Sequence, residues 1–288
     1  MKSTPSIDET IIHLFCIVDD LLKLCSQKPI GMNKGGRPKK LSNAELLTFA
    51  LLEHVLHFPH KKACYRFLSS YCRRFFPHLP EYSNYVLQTN AMAPDAAQLL
   101  LLCCAVHRHE TYTEQYVDST PLPVCKNKRI VSHKVCKDIA TRSKSSTGWF
   151  YGFKLHAVCN PEGQLLSVRL TTGSVDDRSP LLLLLKDLSG LVVGDAGYLS
   201  KELQEKLQEN NVHLFTAVRT NMKKLMTAFQ HTVLKRRQRI ESVFSVLKER
   251  MGMVSSLSRS VKGHFARYIA TLLAYCLKPL AEQQLRLS

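Results

Sequence analysis

Apolar residues recur at helical spacing near the start of the chain, where Ile11, Ile12, Leu14, Phe15, Val18, Leu21 and Leu22 lead up to Cys25 and Ser26. A repeat close to 3.6 residues predicts a helix over 7–27. From Pro29 to Lys40 three glycines and two prolines break any such repeat, and a stretch of that make-up cannot form the interior of an element, so it reads as a linker. Ser42 followed three residues later by Glu45 has the form of a capping box. It opens a helix through Leu46, Leu47, Ala50, Leu51 and Val55 that stops before Pro59. Further helical spacing covers about 60–75 and 94–108.

From Glu114 the period shortens to that of extended chain. Tyr116-Val-Asp-Ser-Thr reads as a strand, and Gly152–Cys159 and Gln164–Thr171 read as a hairpin turning at Asn160-Pro-Glu-Gly163. The run Leu181–Leu185 opens a helix behind Asp176, Asp177 and Pro180, residue types that favour a helix N-terminus. Leu191-Val-Val-Gly-Asp195 predicts a short buried strand, 200–209 a helix, 212–218 a strand and 232–250 a long basic helix. The resulting order, β β β α β α β α, is that of an RNase H-like core. The fold class is therefore α/β (α+β), a mixed sheet with helices on its faces, preceded by a mostly helical N-terminal domain. The expected divisions are an N-terminal helix over 1–28, a basic Gly/Pro linker over 29–41, a helical region over 42–111 and the sheet-bearing domain over 112–288.

Charge then narrows the partners. The chain of 288 residues carries 40 Lys and Arg against 23 Asp and Glu, a formal net charge of +17, and such an excess attracts a polyanion. Nucleic acid leads. The ten cysteines contain no CxxC pair, and Cys103, Cys104 and Cys276 lie in apolar runs, as reduced thiols acting as small hydrophobes in a cytosol do. Acidic Asp8 and Glu9 precede the first apolar stretch, and no window reaches about 18 uninterrupted apolar residues, so neither export nor a membrane partner is expected.

The candidate chemistry rests on three carboxylates. Asp118 lies in the first strand, Asp195 directly follows the fourth and Glu241 sits on the last long helix, so the fold brings them to one sheet edge. Hard oxygen ligands suit Mg²⁺ or Mn²⁺. Two such ions about 4 Å apart activate a nucleophilic oxygen and stabilise a leaving one in phosphodiester cleavage. Around Glu241 stand Lys235, Arg236, Arg237, Arg239, Lys248 and Arg250. Arg237, Glu241 and Lys248, at i, i+4 and i+11, share one face of a continuous α-helix.

Three segments carry a family resemblance: Tyr116-Val-Asp-Ser-Thr-Pro, Gly194-Asp-Ala-Gly-Tyr198 and Arg237-Gln-Arg-Ile-Glu-Ser-Val-Phe. With Gly36-Arg-Pro-Lys-Lys-Leu-Ser and Phe75-Phe-Pro-His-Leu-Pro-Glu-Tyr-Ser, they resemble DDE insertion-sequence transposases of the IS4/IS5 type, most closely the IS982 family, over nearly the whole chain. The resemblance implies that Asp118, Asp195 and Glu241 are the catalytic triad and metal ligands, with two Mg²⁺ or Mn²⁺ ions per site. It implies that 42–111 binds DNA and that 112–288 is catalytic. It also implies metal-dependent cleavage at terminal inverted repeats, transfer of the freed 3′-hydroxyls to target DNA without a covalent enzyme intermediate, and a homodimer or larger synapse. The setting implied is the bacterial cytoplasm, at the nucleoid. The family's signature of Tyr, Arg, Glu and Lys along the last helix is matched by Arg237, Glu241 and Lys248, whereas the tyrosine position holds Leu234.

Other candidates keep two readings each. Lys154 and His156 share a strand face and either reach DNA or take hydrogen bonds within the sheet. Asp176 and Asp177 add a carboxylate to the edge or cap the following helix. Arg37, with Lys34, Lys39 and Lys40, is either a minor-groove hook or a flexible basic linker touching the backbone. The segment Lys126–Lys144, with seven Lys or Arg, tracks DNA or is a solvated loop, and Trp149 stacks on a base or packs in the hairpin. Two rival functions also stand, a domesticated transposase that binds DNA without catalysis and an RNase H-like nuclease that does not transpose.

Overall fold

A computed structural model describes residues 6–25, 40–109, 112–146, 148–216, 228–255 and 257–284. In chain order it contains α1 Ile7–Cys25, α2 Asn43–Val55, α3 Lys61–Tyr71, α4 Tyr82–Ala91, α5 Ala93–Arg108, β1 Gln115–Pro123, a 3₁₀ turn Asn127–Arg129 and β2 Thr141–Ser145. There follow β3 Gly148–Cys159, β4 Leu165–Thr172, α6 Leu181–Leu184, β5 Gly190–Gly194, a 3₁₀ turn Ala196–Tyr198, α7 Lys201–Gln208 and β6 Val212–Thr216. The chain then runs through α8 Ala228–Arg236, α9 Gln238–Ser245, a π-helical turn Val246–Arg250 and α10 Val261–Gln284.

Its contacts group into two units. One comprises Met1–Cys103, Leu247–Met253 and Leu257–Ser288, the other Cys104–Val246 and Val254–Ser256. In the first, helical unit, α2 begins with the expected capping box, Ser42 and Glu45 each satisfying the other's backbone N–H. From Leu46 to Val55 α2 is buried, because α1, α4 and α10 all pack on it. Full burial also encloses charge: Glu53 pairs with Arg267 of α10, and the two are 1% and 7% exposed. Beside them His54 Nδ1 lies 2.7 Å from the Met251 carbonyl oxygen, and burial pushes its pKa down to about 4. The expectation of one domain from 112 to 288 divides differently here, since α10 keeps company with the N-terminal helices. Among the described residues no single helix is long and apolar enough to cross a membrane, and α4 with α5 meets that length only as a pair bent by 47°.

The second unit is the mixed sheet. Its order is β2-β3-β1-β5-β6, with β4 also on β3. β3 is antiparallel to β1, β2 and β4, and β5 is parallel to β1 and β6. With helices on its faces, this is the RNase H-like core that the element order predicts. One face buries Val117, Val158 and Val192 under Leu181, Leu184, Leu185, Tyr198, Leu203 and Leu207. α9 packs on β1 and β3 and buries Ile240, Val243 and Phe244.

Four local differences from the sequence pattern have physical causes. β2, Thr-Arg-Ser-Lys-Ser, lies inside the segment read as a loop; as an edge strand it pairs by backbone alone and has no apolar face to betray it. α4 has no apolar repeat to mark it in sequence, because only Tyr85 and Thr89 are buried along it. α6 is a single turn, since the chain soon bends at Gly190, φ +87°. The long basic helix is interrupted at Arg237, where Arg237 N–H bonds the Leu234 carbonyl at 3.3 Å and Ile240 N–H the Arg237 carbonyl at 3.1 Å, a tighter winding of the 3₁₀ kind.

Candidate active site

Strand parity decides which side chains meet. β1 and β3 pair with Asp118 opposite Ala157, and Ser119 opposite His156. Directly opposed residues share a face and neighbours alternate, so Asp118 and Tyr116 project to one face while Val117 and Ser119 project to the other, core-cluster face. β5 runs parallel to β1 with Tyr116 opposite Val193. Two residues further along come Asp118, inside β1, and Asp195, just past the end of β5, near enough for the charge of Asp195 to be felt at Asp118. Asp195 leaves the strand at once: it caps the Ala196–Tyr198 turn, its Oδ1 accepting the Gly197 N–H at 2.7 Å. Space around it is tight: a Cβ on Gly197 would lie 2.9 Å from Asp195 Oδ1 and so push the carboxylate aside, and one on Gly194 would lie 3.0 Å from the Tyr198 ring.

α9 supplies the third acid. Its buried Ile240, Val243 and Phe244 face the sheet, and Arg237 and Glu241, one turn apart, stand beside that stripe. Arg237 Nη1 donates to Asp118 Oδ2 at 2.9 Å and its Nη2 donates to Glu241 Oε1 at 2.7 Å, so one guanidinium bridges two carboxylates. Asp118 Oδ1 accepts its neighbour's N–H, from Ser119, at 2.7 Å. Even so, burial pushes the Asp118 carboxyl up to about 6; Ser119 N–H and Arg237 oppose the rise, while the charges of Asp195 and Glu241 add to it. Beneath them the Tyr198 hydroxyl is buried, and desolvation followed by the fields of Asp118, Asp177 and Asp195 pushes its pKa far up.

A divalent ion is what three such acids suit by chemistry, because all donors are hard oxygens. Among the described residues no three His, Cys, Asp or Glu side chains converge closely enough to hold one ion; between Asp118 and Glu241 the Arg237 guanidinium provides the positive charge. The donor set thus fits a cation, and a cation is already what two of its members share.

The remaining candidates separate by burial. Lys235 and Arg239 are exposed. Arg236 is also open but bonds the buried Glu114 at 2.9 Å, and Glu114 accepts the Tyr116 hydroxyl at 2.7 Å. Arg236, Arg239, Glu114 and Tyr116 wall a cleft of about 450 Å³. Glu114 was not expected to matter; an acid just before a strand, ahead of a basic helix, is the signal it offers. His156 is 1% exposed, bonds Thr171 Oγ1 at 2.8 Å, and lies on the face opposite Asp118, which leaves it no path to a phosphate. Lys154, on that same face, donates to Val175 O at 2.9 Å and to Asp177 Oδ1 at 3.0 Å. Asp176 pairs with Arg178, which holds its carboxyl down at about 2. Neither aspartate caps α6, whose N-terminus has no side-chain cap. Lys248 lies in the π-helical turn and in the helical unit, so the α-helical spacing that aligned it with Glu241 ends at Ser245. Lys40 is exposed; Arg37 and Lys39 lie outside the described residues. Trp149 is exposed, with the Arg142 guanidinium 4.8 Å from its ring centre.

Residues 109–261 match the family described as transposase DDE domain. No curated protein matches the sequence. Among solved structures, the cryo-EM structure of a piggyBac transposase synaptic complex with hairpin DNA aligns over 97% of this chain and 74% of its own, at 11% identity and a TM-score of 0.53, a likeness of fold. The crystal structure of a Mos1 mariner paired end complex with Mn aligns over 97% of this chain and 98% of its own, at 12% identity and a TM-score of 0.26.

Proposed function

This chain belongs to the transposase DDE domain family, whose match at residues 109–261 spans more than half of it, and from that premise we propose that it is the transposase of an IS982-type insertion sequence, binding terminal inverted repeats and cutting and joining DNA there. The observation that carries the reading is the meeting of Asp118 and Glu241 on one guanidinium, with Asp195 at the adjoining strand end. Asp118, Asp195 and Glu241 would hold the divalent ions, Mg²⁺ or Mn²⁺, two per site, whose chemistry would be to activate a nucleophilic oxygen and stabilise a leaving one. The residues themselves do three things. Asp118, four-fifths buried, presents its carboxylate from a site that is largely shielded from bulk water. Lys235, Arg236, Arg237 and Arg239 hold backbone phosphates, which positions DNA without reading its sequence. Arg37, Lys39, Lys40 and the helical region from 42 add grip on the ends, and a dimer or larger synapse brings two ends together.

The test is incubation of full-length protein with labelled DNA carrying the inverted repeats that flank its reading frame, in Mg²⁺. Nicking at the repeat ends, lost in Asp195→Asn while binding persists, is the expected result. Binding without nicking by a folded protein points instead to a domesticated DNA-binding protein, and cutting indifferent to the end sequence points to a nuclease.

A further inference from the structure

Arg237 makes two bonds that compete with the use proposed for their acceptors. Each of its terminal nitrogens takes a different carboxylate, Asp118 Oδ2 at 2.9 Å and Glu241 Oε1 at 2.7 Å, and its side chain is only 21% exposed. Carboxylates gathered at one edge repel one another, and a guanidinium between two of them offsets that repulsion with charge-assisted bonds of good length. A divalent ion drawn to the same two acids meets oxygen lone pairs already engaged and a positive charge at bonding distance from them. The geometry points to Arg237 as a built-in counter-ion of these acids: guanidinium and divalent ions are alternative occupants of the space between Asp118 and Glu241, and metal loading requires the Arg237 side chain to swing out. This rests on the reading that the three acids hold divalent ions. It adds a linkage that the reading alone does not contain: a phosphate that captures the released guanidinium favours metal binding, and metal favours capture of the phosphate by the same factor.

The measurement is Mn²⁺ uptake by the full-length, DNA-free protein, followed by electron paramagnetic resonance of the free ion, for wild type, Arg237→Gln and Arg237→Lys. Arg237→Gln is expected to bind Mn²⁺ at least about tenfold tighter than wild type and Arg237→Lys to fall between, because lysine keeps the charge but not the two-carboxylate bridge. Adding Asp195→Asn to either variant should abolish the gain, which assigns the bound ion to this site. Equal or weaker Mn²⁺ binding by folded Arg237→Gln overturns the counter-ion role while leaving the metal site standing, as a merely structural arginine would predict. Should Arg237→Gln fail to fold, Arg237→Lys decides alone, in the same direction. If neither wild type nor variant takes up Mn²⁺, the metal-site reading falls and this inference falls with it.

Discussion

Asp118 is held at an energetic disadvantage that its chemistry explains. A carboxyl whose ordinary value is 3.8 stands near 6 in the fold, so at neutral pH its charge lowers stability by on the order of 3 kcal/mol. Asp118→Asn is therefore expected to raise the thermal midpoint in EDTA while eliminating cleavage; a lower midpoint would show that the carboxylate is structural. Gly197 tests the neighbouring acid, since a methyl there meets Asp195 Oδ1 at 2.9 Å. Gly197→Ala should leave unfolding within about 1 kcal/mol of wild type yet cut end nicking severely, because it turns the carboxylate rather than the chain. That Asp118 and Glu241 come together was legible from residue type and element order. What lay beyond the sequence was orientation. Lys154 and His156 alternate correctly with each other, but only the pairing of Ser119 with His156 reveals that they face away from Asp118.

At the scale of elements, strands with an apolar face and helices with a capping signature were legible, and those lacking both were not. α2 declares itself through Ser42 and Glu45, and Ser42→Ala should cost about 1 kcal/mol in denaturant unfolding. β2 has only backbone pairing to define it, and the break at Arg237 contains neither proline nor glycine, so its basic residues read as one helix. α2 also carries the clearest pH response. His54 has a folded value near 4 against an ordinary 6.5, so the unfolded chain takes up its proton first as pH falls. Stability from this group is complete above about pH 6.5 and declines toward pH 4. Asp118 acts with the opposite sign over much of that range, so the comparison to make is His54→Gln against wild type: the variant's midpoint should fall less between pH 7 and 4.5, and parallel curves would refute the assignment.

For the molecule as a whole, the formal charge of +17 predicts binding dominated by released counter-ions. If about six to ten phosphates are neutralised, affinity for end DNA should drop on the order of a thousandfold or more between 50 and 200 mM salt, and a nearly flat salt response in fluorescence anisotropy would argue against backbone contacts as the main grip. The helical unit has a further property, its discontinuity in sequence. α1, α2 and α4 all pack on α10, which follows the whole sheet in sequence. On a ribosome adding about 5–20 residues per second, those helices wait on the order of ten seconds or more while the sheet is translated, packed on one another but with the faces that meet α10 still uncovered. The amount of mature transposase in a cell then depends on chaperone capacity during synthesis as well as on final stability. A message truncated before Val261 leaves an incomplete N-terminal unit even though every residue preceding it is intact.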